Sequence, residues 1–444
     1  MNTYLEIAVP LETNAVTFFI GTGFSKYLTD GKAPSWLELI ERLTRVVDTA
    51  RGKLRKKLFN RDEFGDVISA KMDLSICAQI LELEFKTKKL DIRKSVVDVI
   101  NNAITSSTVN NSKVNGLKIF FRDYPNINFI TTNYDTILSD YVLDGYPRIF
   151  VDGSPIPKSN LGSNIYHIHG CITKPSSIII TINDYFKFQH RDNYLSRKFY
   201  TLLQENTVVI LGYSLGDFNL NRIFNEAQVS KSVSLRQSDV YLLSRDYVDQ
   251  IYKDFYSFSY GINVIDDTEI SEFISNLSTE IQNAKELVSE VSLLRDVIKG
   301  THEYRDDFIK LSSSFSQILL QAATIGISIH EEKFVDVLLE ILMKKKEFTY
   351  ESGAWSQYVH LAEWLIELAI LVDITKSRIK DQYLKLVKYS FKTMSSKLLL
   401  GYSWGAYKSW KSRLSEIKFE NQKLIKNFIK KDFSKGSAAA NLLS

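Results

Sequence analysis

Four clusters of glycine, hydroxyl, amide, imidazole and carboxylate groups stand out in the chain, each closing an apolar run. Gly21-Thr22-Gly23-Phe24-Ser25 places two glycines where a backbone can approach a pyrophosphate and aim its N–H groups at the oxygens. A tight strand-to-helix turn accounts for two glycines equally well, and Lys26 stands where a dinucleotide fingerprint has its third. Thr131-Thr132-Asn133-Tyr134-Asp135 offers an amide for holding water or a hydroxyl; a helix cap at either threonine explains part of the cluster but not Asn133. His167-Ile168-His169-Gly170 offers imidazoles for proton transfer, and strand alternation turns both rings to one face. A core histidine bonded to a carbonyl is the structural alternative. Gly212-Tyr213-Ser214-Leu215-Gly216-Asp217 adds small residues and an acid. Each cluster has a plain structural explanation alone. Together they are what a nucleotide site at strand C-termini requires.

The elements that must position these clusters follow from the apolar runs before them. AVTFFI (15–20), INFITT (127–132), IYHIH (165–169), SIIITI (177–182), TVVIL (207–211) and DVYLL (239–243) read as buried strands. Between the first two lie helical patterns such as WLELIERLTRVVD, LSICAQILELEF and IRKSVVDVINNAI, predicting a helical insertion over about 36–125 that caps the crevice. Strands alternating with helices predict an α/β fold with a doubly wound, parallel, Rossmann-like sheet. Beyond about residue 270 the strand pattern stops and helix follows helix. The chain therefore divides near 285, into an α/β domain over 1–285 and an all-α domain over 286–444, with SKGSAAANLLS as a frayed end.

Composition narrows the class. With 44% hydrophobic and 24% charged residues, the 444-residue chain reads as soluble and globular. No apolar run is long enough for a membrane span, and MNTYLEIAVPLETN lacks the layout of a secretory signal, so a cytoplasmic protein is expected. Two distant cysteines, Cys77 and Cys171, suit a reducing compartment. Residues 376–435 hold sixteen Lys or Arg against four acids, a local +12 in a chain of net +4, so the rest carries −8. Such asymmetry fits an acidic or nucleic-acid partner. The helical spacing of these lysines fits solvated helix faces better.

GTGFS, TTNYD, HG and GYSLGD, in this order and spacing, resemble the sirtuin-like NAD-binding domain. The likeness runs over roughly residues 10–265 and is closer to the bacterial antiviral-defence branch than to protein deacylases; Asn183-Asp184-Tyr185 stands where that branch has a related Asp-Tyr pair. The resemblance implies that Gly21, Gly23 and Ser25 cradle the NAD+ phosphates, with Thr22 and Thr132 in the same binding loops. It implies that Asn133 positions the nicotinamide ribose or the attacking water, and that His169 contacts a ribose hydroxyl as general base. Asp135 would line the nicotinamide pocket or brace its loop, Gly212 and Ser214 would approach the adenosine half, and Asp217 would stabilise that turn. The chain departs from the deacylases: two isolated cysteines cannot build their four-cysteine zinc site, and KYLTDGKAPSW replaces their Pro-Asp-Phe-Arg loop.

The expected activity is therefore NAD+ glycohydrolysis by a regulated, NAD+-depleting defence effector, with NAD+ as substrate and neither zinc nor another cofactor required. An NAD+- or ADP-ribose-binding sensor without turnover is the alternative, and a deacylase is the weaker third reading. The resemblance further implies a homo-oligomer working with a HerA-like ATPase, an Argonaute-type protein or a nucleotide-signalling component, through which nucleic acid could enter. The helical C-terminal domain would carry oligomerisation or partner docking.

Overall fold

The computed structural model describes residues 3–48, 52–144, 147–153, 162–190, 194–231, 239–396, 403–433 and 437–443. Among them the chain forms two compact units, one of Asn14–Val229 with Ser238–Thr279, the other chiefly of Met1–Thr13 and Glu280–Ser444.

The first unit is built on a seven-stranded parallel sheet. Its strands are β1 (Val16–Ile20), β4 (Asn128–Thr131), β5 (Arg148–Phe150), β6 (Asn164–His167), β7 (Thr207–Leu211), β8 (Val240–Leu243) and β9 (Ile262–Ile265); β2 (Phe59–Arg61) and β3 (Val67–Ala70) form a separate hairpin. The order is β5-β6-β4-β1-β7-β8-β9. From β1 the chain first builds to one side and then, at β7, crosses to the other, so the winding reverses beside β1. That is where open α/β sheets hold ligands. Every residue of β1 and β7 is buried, because helices cover both faces of a parallel sheet. Phe19, Ile130, Tyr166 and Ile210 pack on one face against the helices Tyr194–Glu205 and Phe218–Lys231. Phe18 and Phe129 turn to the other face, where Phe121 packs edge-on against both rings.

The register decides the position of the site. Ile20 pairs with both Thr131 and Leu211, and Thr131 pairs with His167. The last residues of four adjacent strands thus lie in one row, so the four polar clusters leave the sheet side by side.

The insertion between β1 and β4 is helical, as expected, but it also contains the β2–β3 hairpin. It has its own core, in which Leu39, Leu43, Cys77, Leu81, Phe85, Val96 and Ile100 pack together.

Three readings of the strands need correction. Residues 177–182 do not form a strand; they run from a short 3₁₀ turn (Pro175–Ser177) into the helix Ile182–His190. Their alternation is real, but Ile178 and Ile180 bury in the core of the insertion. The backbone between them is satisfied without a sheet neighbour: Ile179 N–H donates to His169 O (2.9 Å), Tyr134 Oη donates to Ile179 O (2.6 Å), and Arg93 Nε donates to Ile178 O (3.2 Å). Conversely, β5 and β9, the two edge strands, were not anticipated.

The second unit is helical among its described residues. The helix Trp355–Leu371 is buried along most of its length, with Glu332–Phe348, Lys380–Thr393 and Trp404–Arg413 also in this unit. The helix Thr3–Glu12 belongs here too, as Glu6 accepts from the Ser312 N–H (3.0 Å) and hydroxyl (3.2 Å). The expected frayed end contains a helix, Ala438–Leu443, while residues 434–436 and 444 lie outside the described residues. No helix among the described residues is long and apolar enough to cross a membrane.

Candidate active site

Above the row of strand tips lies a cavity of about 600 Å³. The tips supply a polar wall: Thr22, Thr132, Asn133, Asp135, His169, Ser214 and Asp217. The insertion and its hairpin supply an apolar one, including Trp36, Leu39, Ile68, Met72 and Ile100. Asn133 and His169 therefore face one space.

Asn133 is held from three directions. Its N–H donates to Thr131 Oγ1 (3.0 Å), whose hydroxyl donates to Ile20 O (3.0 Å), and its carbonyl contacts His167 Nδ1 (2.9 Å). Its Nδ2 donates to Gly21 O (3.0 Å) and Ser25 Oγ (2.9 Å). Ser25 Oγ in turn donates to Asp135 Oδ2 (2.8 Å). Two acceptors on one end of the amide fix its orientation and leave Oδ1 as the free acceptor. Burial pushes the Asp135 carboxyl up from its ordinary range, with the Ser25 bond working the other way.

His169 is buried, its Nε2 lying 3.5 Å from Asp217 Oδ2. Tyr185 and Phe188 meet its ring edge-on, at 5.4 and 5.9 Å between centroids. Burial lowers its proton affinity below that of a free histidine, while the Asp217 charge acts in the opposite direction. The ring is neutral at neutral pH, which is the state a base needs. His167 is likewise depressed by burial and serves the Asn133 loop rather than the cavity. Tyr185 and Tyr213 are pushed well up, first by burial and then by Asp217, so both hydroxyls stay protonated.

Four side chains that line this cavity each bury a polar atom with no hydrogen-bond partner among the described residues: Trp36 Nε1, Asn133 Oδ1, His169 Nε2 and Tyr213 Oη. Such atoms are uncommon in folded proteins and call for a physical account.

The glycines have a packing role. A Cβ on Gly21 would stand 2.5 Å from Gly212 O, one on Gly23 would stand 2.8 Å from Gly212 Cα, and one on Gly212, at φ +67°, would stand 2.1 Å from Phe24 N. The Gly21 and Gly23 N–H groups donate to Leu211 O (2.9 Å) and Gly212 O (2.8 Å). The tips of β1 and β7 thus interlock through three glycines. Gly170, at φ +89°, leaves room for the Ser177 carbonyl, 2.3 Å from where its Cβ would be. Gly23 and Gly212 line a second cavity of about 630 Å³ with Lys26, Lys113 and Arg245, whereas Gly21 and Ser25 line neither cavity. Lys26 forms an ion pair with Glu38 (2.8 Å).

Trp36, Tyr185 and Tyr213 also line the cavity, although the sequence alone assigns them no role there. Trp36 had a readable signal, because Ser35 and Glu38 form a capping box that sets it at the first position of the helix Trp36–Val47. Asp184 stays outside the cavity and holds the fold, pairing with Arg93 through both oxygens (2.8 and 2.7 Å). Among the described residues no cluster of His, Cys, Asp and Glu could hold a metal ion, and Cys77 and Cys171 are both buried.

Residues 127–265 match the SIR2-like domain family, a segment that contains three of the four strand-tip clusters. Over 101 residues the chain is 27% identical to Defense-associated sirtuin 2 of Bacillus subtilis; the match covers 22% of this chain and 10% of the Bacillus protein.

Proposed function

We propose that this chain binds NAD+ over the tips of β6, β4, β1 and β7 and hydrolyses the nicotinamide–ribose bond. The observation that carries the reading is one cavity with a polar and an apolar wall, lined by four side chains that each bury an unpartnered polar atom. Ribose hydroxyls, a carboxamide and a flat pyridine ring suit such walls. The SIR2-like match supports NAD+ as the ligand.

Nicotinamide leaves from a pyridinium, so its departure needs no general acid. The site must orient the ribose and stabilise an oxocarbenium-like centre. Asn133 Oδ1 holds a water or a ribose hydroxyl, and neutral His169 takes the proton. The water oxygen bonds to the anomeric carbon as the C–N bond breaks, and its electron pair goes to the ring nitrogen. Asp135 and Ser25 brace Asn133; Thr22, Thr132 and Ser214 lie within reach of the same ligand. Gly23 and Gly212, with Lys26, Lys113 and Arg245, offer the second cavity to the adenosine and phosphate end.

We further read the chain as a cytoplasmic, NAD+-depleting effector of antiphage defence. It would form a homo-oligomer, held silent until a HerA-like ATPase or another sensor engages its helical unit. The name of the Bacillus relative supports the defence setting.

The test is nicotinamide release from NAD+ by the full-length chain, alone and with extract of phage-infected cells, alongside NAD+ calorimetry. Release that disappears in His169→Ala is the expected result. Binding without release under either condition selects the sensor reading. Absence of both overturns the proposal.

A further inference from the structure

We propose that Asp217 is the positioning residue of this site: its carboxylate, anchored by Tyr185, orients the His169 imidazole for proton abstraction. The inference deepens the hydrolase reading and rests on it for the role of His169. Three observations carry it. Asp217 Oδ2 lies 3.5 Å from His169 Nε2, and Tyr185 Oη donates to the same oxygen at 3.5 Å. Tyr185 also meets the imidazole edge-on, so carboxylate and ring share one neighbour. Finally, the loop that delivers Asp217 adopts a costly shape. Leu215 sits at φ +54° with its side chain buried, and Asn221 Nδ2 donates to the Leu215 carbonyl at 2.7 Å. A bulky residue in the left-handed region is uncommon and persists where its surroundings enforce it.

The titratable groups on the cavity around His169 come from four elements; one of them is Asp73, which caps the helix Leu74–Thr87 and accepts from the Ser75 N–H (2.8 Å). Tyr213 and Asp217 follow β7, Tyr185 lies on the helix Ile182–His190, and Tyr134 and Asp135 follow β4. Burial keeps the three tyrosines neutral and raises the Asp135 carboxyl, which is bonded to Ser25. Asp217 is the anion that acts on His169, favouring its protonated form against burial. The 3.5 Å separation is long for a hydrogen bond, and such contacts commonly tighten when substrate binds. Facing the carboxylate, Nε2 carries the hydrogen, so Nδ1 is the nitrogen that takes the proton.

The experiment compares Asp217→Asn, Asp217→Glu and Tyr185→Phe in the full chain. It reads the pH profile of nicotinamide release and the NMR titration of the His169 ring, assigned with His169→Ala. Removing the charge is expected to cut turnover about 10²-fold, short of the roughly 10⁴-fold loss where a buried aspartate bonds its histidine directly. It should also move both the acid limb and the His169 titration to lower pH. Asp217→Glu should keep the limb in place, and Tyr185→Phe should fall between, guarding against a misfolded Asn variant. A rate loss with limb and titration unmoved would reduce Asp217 to a structural role. A titration that shifts in a chain that consumes no NAD+ keeps the pair and sinks the hydrolase reading instead.

Discussion

Both units of this protein bury ionisable side chains, and the comparison shows when buried polarity marks a site. In the helical unit Lys345 is buried with Nζ over the Trp364 ring (4.1 Å to its centroid), and it donates to the carbonyls of Ile309 (2.8 Å), Lys310 (3.0 Å) and Leu311 (3.3 Å). Those carbonyls end the helix Asp306–Lys310, so the cation closes a helix terminus. Nearby, burial pushes Glu367 up to about 8 and depresses His360 well below an ordinary histidine. The ammonium finds its partners within the protein. The helical unit holds unpartnered polar atoms as well, His360 Nδ1 and Tyr304 Oη among them; in the α/β unit, by contrast, four such atoms belong to side chains that line one cavity. Perturbed groups alone do not distinguish the two regions; convergence on a shared space does.

The sharpest way to break this contrast is to truncate one member on each side. His169→Ala and Asn133→Ala should each lower nicotinamide release by at least about 10²-fold. The urea midpoint should fall modestly in Asn133→Ala, whose Nδ2 donates to Gly21 O and Ser25 Oγ, and less in His169→Ala, whose Nε2 lies 3.5 Å from Asp217. Lys345→Met should do the reverse. Lys310 O and Leu311 O keep donors in Gln357 Nε2 (3.1 Å) and Ser314 Oγ (3.0 Å), while Ile309 O keeps only a 3.5 Å contact with Ser314 Oγ. One buried acceptor left poorly bonded costs about 1–3 kcal/mol, so a loss of that order is expected in urea unfolding, with turnover per folded molecule retained. A midpoint collapse in His169→Ala, or lost turnover in folded Lys345→Met, would reverse the assignment. Next in size, Gly212→Ala must destabilise by more than about 1 kcal/mol, since the residue sits at positive φ against Phe24 N. Calorimetric melting reads that directly.

The smallest effects lie in pH. His167, His169 and His360 have depressed proton affinity in the folded chain, so their stability contribution is present above about pH 6.5 and is lost as the pH falls. Glu367 has the opposite sign: its contribution is complete below its ordinary value of 4.5 and disappears as the pH rises through about 8. Glu367→Gln should therefore flatten the alkaline side of a stability–pH curve and leave the acid side intact. An unchanged alkaline side would show that Arg413, whose charge opposes that rise, holds the carboxylate ionised.

The strand tips were legible because a buried strand has no structural need for Asn, His and Asp at its end. The edge strands were not. Arg148–Phe150 is three residues long, and Ile262–Ile265 follows directly on a helix closed by Gly261 at φ +65°, so neither has a pattern of its own. SIIITI was misread for the opposite reason: its apolar residues do alternate, yet they serve a core supplied by residues about a hundred positions earlier. Spacing likewise could not show that Gly21 and Gly23 interlock β1 with β7, because the partner, Gly212, is remote in sequence. Ser25 shows the same limit, as its hydroxyl is engaged by Asn133 and Asp135.

The peptide joining Ile178 to Ile180 sits at once in the interior of the insertion and against the carbonyl of His169. Loosening of that small helical lobe must drag the histidine loop with it, whatever the sheet does. Warming should accordingly extinguish catalysis several degrees before the parallel strands melt, and bound nucleotide should close that gap by clamping the lobe from its inner side.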